Sequence, residues 1–238
     1  MSVMRRRRFW AEASLVPAAA GFGVTLDGRP IRTPAGAVLE LPTRALAEAV
    51  AAEWRGVEAE IEASRMPITR LANSAIDKVR GSHGEIAAML SGYGATDLVC
   101  YRAGGPQSLS DRQAAAWDPL LAWLRTELDV RLRPVTGVMF RAQDQDALAR
   151  LHDHVARLDD FELMAFHDLV TLTGSLVIAL AVAERHLPAA EAWERSRVDE
   201  TWQIEQWGED PDATVLAEAK RADFHHAVRF LSCTREGR

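Results

Sequence analysis

The segment from Phe161 to Ala183 is the most apolar in the chain, and it leaves few ways to fold. Its uncharged part, Leu169 to Ala183, is shorter than the roughly 18 residues a membrane-spanning helix needs. Glu162, His167 and Asp168 stand at its start, and Arg185 and His186 close its end. A helix apolar on nearly every side must be surrounded by other helices. The segment is therefore expected at the centre of a helical domain, with Gly174-Ser175 letting a neighbour approach closely. Candidate neighbours lie on both sides. Leu148, Leu151, Val155 and Leu158 recur at helical spacing before it. After it, Asp210-Pro211 starts a last helix with Val215, Leu216, Ala219, Asp223, His226, Ala227 and Phe230 along one side.

Toward the N-terminus the period changes. Phe9 to Leu41 reads as β-structure: Phe22, Val24 and Leu26 alternate, Asp27-Gly28 supplies a tight hairpin turn, and Ile31 continues on a returning strand. Pro30 places that strand at an edge or starts it after the turn. Thr43 caps a helix with Leu46, Val50, Trp54 and Val57, and Pro67 begins another with Ile68, Leu71, Ile76 and Val79. Gly81 is expected to stop it, and Ser82 with Glu85 to cap a third helix carrying Ile86, Met89, Tyr93, Asp97 and Cys100. Beyond the Gly104-Gly105-Pro106 loop, a capping box at Ser110 and Gln113 and a fresh start at Asp118-Pro119 predict two further helices. Residues 130–140 read as extended. The fold class is α+β: a small N-terminal domain with a β-hairpin sheet and helices over 1–81, and a larger all-helical domain over 82–238.

Composition narrows function by exclusion. A net charge of −6 argues against general affinity for nucleic acid or anionic membrane. The run Arg5-Arg6-Arg7-Arg8 reads as a solvated tail rather than a phosphate or lipid contact. Cys100 and Cys233 fit buried free thiols in a reducing compartment, and no secretory signal is visible, so a bacterial cytoplasm is expected. The histidine pairs His152/His154 and His225/His226 have the wrong spacing for a shared metal. Gly21-Phe22-Gly23 and Gly92-Tyr93-Gly94 lack the third glycine of a dinucleotide loop, and there is no nucleophile elbow. No catalytic residue, cofactor or metal is expected. An enzyme or small-molecule site around Asp97, Arg102 and Arg112 is the alternative.

The stretch Trp193–Asp210 holds three of the seven tryptophans. Trp193, Arg197, Glu200, Ile204 and Trp207 recur at helical steps and share one face, with Arg197 a turn before Glu200 as its local ion partner. That face suits either a core helix or a recognition element, since tryptophan and arginine dominate binding hot spots.

Several stretches together resemble one family. Arg8-Phe9-Trp10, Leu26-Asp27-Gly28-Arg29-Pro30, Ala52-Glu53-Trp54 and Met66-Pro67-Ile68-Thr69-Arg70-Leu71-Ala72-Asn73 look like its N-terminal domain. Thr96-Asp97-Leu98-Val99-Cys100-Tyr101-Arg102, Arg112-Gln113 with Trp117-Asp118-Pro119, Leu172-Thr173-Gly174-Ser175 and Trp202-Gln203-Ile204-Glu205-Gln206-Trp207-Gly208 look like its helical domain. The family is the ATP-twelve chaperone of ATP synthase assembly. The resemblance implies a non-enzyme that transiently binds the free alpha subunit of the catalytic head, shielding its beta-subunit interface. It implies no cofactor, no nucleic acid and no membrane insertion, with a bacterial cytoplasmic location or the mitochondrial matrix in a eukaryote. It also implies a functional carboxylate near the Trp-Gln-Ile-Glu-Gln-Trp motif, either Glu200 or Glu205. Trp202, Trp207 and the N-terminal Trp54 are the accompanying candidates for partner binding.

Overall fold

A computed structural model describes residues 7–237, so Arg5 and Arg6 of the basic run lie outside the described residues. The fold is α+β, a small sheet near the N-terminus followed by helices. Two compact units can be distinguished.

The first unit comprises the described part of Met1–Ser82, with Asp160–Ala165 and Arg229–Arg238. Its sheet is built on strand β2 (Gly21–Leu26), paired antiparallel along one edge with β1 (Ala13–Ala18). The other edge carries the two-residue strands β3 (Arg29–Pro30) and β4 (Glu40–Leu41). Asp27 and Gly28 both have positive φ, 47° and 78°, the geometry of a two-residue hairpin turn. The Asp27 carboxylate does more than turn the chain: it accepts the Ala11 and Glu12 amides at 2.9–3.1 Å. Arg8 is no solvated tail. Its guanidinium donates to the carbonyls of Trp10, Val57 and Ala11 at 2.7–3.0 Å, and its backbone N–H to Ala59.

Helix α1 (Arg44–Arg55) packs on β1 and β2 through Leu46 and Val50. Thr43 caps it as expected, its Oγ1 accepting the Leu46 N–H, and also donates to the Cys233 carbonyl at 2.5 Å. Helix α2 (Pro67–Ser74) starts at Pro67. The run continues through a π-helical turn (Ala75–Val79) and ends at Gly81 as expected: within α3 (Arg80–Ser91) the backbone leaves helical geometry at Ser82, φ −135° and ψ 23°, and a new helix follows it. Phe161 and Phe230, stacked 6.4 Å apart, belong to the core of this unit.

The second unit comprises His83–Asp159 and Phe166–Val228. The face expected on α3 is rotated: Ala87 and Leu90 are buried, whereas Met89 is 48% exposed. The helix also ends before Asp97 and Cys100, which lie in a short 3-10 turn leading to β5 (Tyr101–Arg102). This strand pairs in parallel with β6 (Val135–Thr136), inside the stretch read as extended. Two helix starts expected from sequence are absent, because α4 runs unbroken from Gln107 to Glu127 with Pro119 inside it. Pro119 cannot donate to the Ala115 carbonyl four residues back. The neighbouring Ala116 carbonyl accepts from the Arg195 guanidinium instead, at 2.8 Å.

The apolar 161–183 segment is two helices, α6 (Asp160–Thr173) and α7 (Leu176–Ala183), with α5 (Gln145–Ala156) preceding them. Gly174 is not a site of close approach: nothing lies within 4 Å of where its Cβ would be. Its φ of 69° breaks the helix, and Ser175 caps the next one. Every residue of α7 is buried, as the all-round apolar pattern requires. It packs against α4 and α8 (Ala189–Ser196). Close approach falls at Gly94, where a Cβ would come within 2.7 Å of Leu151.

Beyond α8 come α9 (Val198–Trp207) and α10 (Pro211–Arg235), the latter started by Asp210, whose carboxylate accepts the Asp212 amide. Val215 and Leu216 do not join its packed side; they are 72% and 57% exposed. Cys100 is buried, but Cys233 is only half-buried.

Candidate functional site

The helical face drawn from Trp193 to Trp207 does not exist as one surface. Arg197, at φ −112° and ψ 17°, separates α8 from α9. Trp193 faces inward, 7% exposed and packed on Phe224, with the Arg197 guanidinium over its ring. Arg197 also donates to Glu200 at 2.6 Å, the partnership expected from spacing. This carboxylate is 43% exposed, and its ion pair is local to the helix junction.

The mounting of α9 comes from α4. Arg112 donates both terminal nitrogens to the two Glu205 oxygens, at 2.9 and 2.8 Å. That fork holds the Glu205 carboxyl below the usual carboxylate range and raises the Arg112 guanidinium, hydrogen bonding being the leading cause for each. One residue on, Gln113 is buried: its Nε2 donates to Asp199 at 2.6 Å and its Oε1 accepts the Ala103 amide. One turn further, the Trp117 indole donates to the Arg195 carbonyl at 2.8 Å. Three rungs from one side of α4 thus fix the end of α8 and all of α9. The Arg112–Glu205 pair is the exposed rung of the three, with side-chain exposures of 41% and 45%.

Among the exposed residues of α9, which include Thr201, Gln203, Glu205 and Gln206, two are large and apolar: Trp207 is 75% exposed and Ile204 46%, and Val215 and Leu216 stand bare just beyond the Gly208–Asp210 turn. Trp202 is half-buried and meets Trp207 edge-on at 5.6 Å.

Trp54 belongs to the first unit. It is half-buried, edge-on to Trp10 at 5.2 Å, and its indole Nε1 has no hydrogen-bond partner. The preceding Glu53 caps α2, accepting from the Ile68 and Thr69 amides at 2.7 Å and the Thr69 hydroxyl at 2.6 Å. That triple contact physically joins the Ala52-Glu53-Trp54 and Met66-Pro67-Ile68-Thr69 motifs.

The three residues considered for a small-molecule pocket go to separate partners. Arg112 is engaged by Glu205, and Arg102 lies over Trp117 and donates to Asp118. Asp97 is fully buried, its oxygens taken by the Ser175 hydroxyl and the Val99 and Val177 amides. No ligand reaches it. Among the described residues no helix is long and apolar enough to cross a membrane, and no three His, Cys, Asp or Glu side chains cluster for a metal.

Helix α9 is thus held on one side by hydrogen bonds from α4 and exposes two large apolar side chains on the other. Comparison with known proteins gives the family. A model described as ATP12 chaperone protein matches residues 7–125. The chain is 47% identical to Atp12 from Paracoccus denitrificans, whose crystal structure superposes with a TM-score of 0.94, covering 96% of this chain and 98% of that one. An Asp-to-Lys mutant of P. denitrificans Atp12p superposes equally well, at 46% identity and the same coverage. The mitochondrial protein atp12 of Schizosaccharomyces pombe is 24% identical over 219 residues, 87% of this chain and 75% of that protein. The chain belongs to the ATP12 family of ATP synthase assembly chaperones, and the family is not one of enzymes.

Proposed function

We propose that the chain binds the free alpha subunit of the ATP synthase catalytic head and covers its beta-subunit interface until assembly, in the bacterial cytoplasm. The observation that carries this reading is the exposed apolar group Ile204, Trp207, Val215 and Leu216 around the α9–α10 turn. An unassembled subunit of a permanent complex exposes an interface more apolar than a monomer tolerates. A chaperone for it needs apolar area held rigid, so that little ordering entropy is lost on contact. The α4 clamp supplies the rigidity, with Glu205 and Arg112 as positioning residues and Trp207 as the anchor.

The test is co-expression of the tagged chain with alpha subunit alone, followed by addition of beta subunit. Wild type should retain alpha and release it to beta. Trp207→Ala should retain at least ten times less alpha at an unchanged melting temperature, since its side chain is 75% exposed. Glu205→Lys, which sets like charge against Arg112, should also lower retention while the chain still melts cooperatively. Undiminished retention by Trp207→Ala would refute this surface.

A further inference from the structure

A second surface, in the first unit, has the chemistry of a peptide site. Resting on the chaperone reading above, we infer that the cleft beside Trp54 holds an extended segment of the client subunit, one with an apolar side chain flanked by carboxylates. The cleft has a volume of about 760 Å³ and lies between the end of α1, the connection before α2, and α2 itself. Its apolar lining comes from Trp54, Ile61 and Met66, and its exposed cations are Lys78, Arg32 and Arg70, the last two engaged within the fold, Arg32 with the Gly36 carbonyl at 2.8 Å. The carboxylate in the lining, Asp77, is likewise committed, to the Thr33 hydroxyl at 2.6 Å and the Ala35 amide at 3.1 Å. In a chain of net charge −6 this is a local reversal of sign, and it selects an acidic occupant.

The surroundings of the cleft favour an extended peptide over a small anion. A neighbouring cleft of about 380 Å³ shares Met66 but is lined by Glu58, Glu60 and Glu62. The sign of charge therefore changes along the path a bound segment would follow, which gives the segment a direction.

The experiment uses the full chain and purified alpha subunit. Arg32→Glu with Lys78→Glu should weaken alpha capture at least ten-fold and flatten its salt dependence. Arg131→Glu with Arg141→Glu, equal in charge change and located in the second unit, should leave capture within two-fold. A photo-crosslinking residue at the exposed Ala63, with the cleft otherwise intact, should attach to an alpha segment bearing Asp or Glu beside an apolar residue. Equal capture by both double variants, or adducts confined to a segment without carboxylates, overturns the cleft assignment and leaves the Trp207 surface standing. Failure of the wild type to capture alpha overturns both.

Discussion

Asp97 sets two opposing effects against each other, and the replacement Asp97→Asn measures which wins. Its carboxylate is fully buried and accepts the Ser175 hydroxyl at 2.6 Å, the Val177 amide at 3.0 Å and the Val99 amide at 3.1 Å. Those donors favour the charged form, while removal from water favours the neutral one. Burial dominates and raises the pKa from 3.8 to about 6. The folded chain then holds a proton that the unfolded chain has released between about pH 4 and pH 6. The stabilising contribution is full below the unfolded value and is lost as pH rises through the folded one. Over the whole window the loss is about 3 kcal/mol, of which about 2.5 kcal/mol falls between pH 4 and pH 7. Asn does not titrate, and its neutral amide has nearly the shape of the protonated acid, with an acceptor oxygen on one side and an NH2 donor group on the other. Urea unfolding at pH 4, 5, 6 and 7 should therefore show the variant gaining about 2.5 kcal/mol on the wild type across the series. A flat difference would refute the argument. A difference of opposite sign would show that the three donors outweigh burial.

Two further predictions concern the first unit. Glu53→Ala strips the acceptor from the Ile68 and Thr69 amides and the Thr69 hydroxyl, and should cost about 2 kcal/mol or more in urea unfolding; a loss within error would mean that water replaces the cap. Gly21→Ala would place a Cβ 2.2 Å from the Leu41 carbonyl oxygen at a φ of 148°. It should destabilise by about 3 kcal/mol or more, read as a lowered melting temperature, and a melting temperature equal to wild type would exclude that contact.

Sequence patterns mislead in two opposite ways. Pro119 is strong local punctuation, yet it lies inside α4, because local preferences are worth a few kcal/mol at most and packing of a long apolar face overrides them. At Gly174 local conformation wins instead, its φ of 69° breaking a helix that the apolar pattern runs straight through. The Arg197–Glu200 pair was legible because its spacing is local; Arg112–Glu205 joins residues 93 apart in sequence and was not. Arg8, too, reads as tail in a run of arginines, and only the three carbonyls that converge on it show otherwise.

Periodicity, turn chemistry and motif order were enough to establish from sequence the α+β class, the Asp27-Gly28 hairpin, the Thr43 cap and the chaperone family, because each is a property of short stretches. Which tryptophans face water was decided only in three dimensions. Trp193 and Trp207 have the same helical phase, yet a break at Arg197 turns one into the core and leaves the other 75% exposed. The pairing of Glu205 was decided in the same way, by a guanidinium from another helix that no local spacing could bring to it.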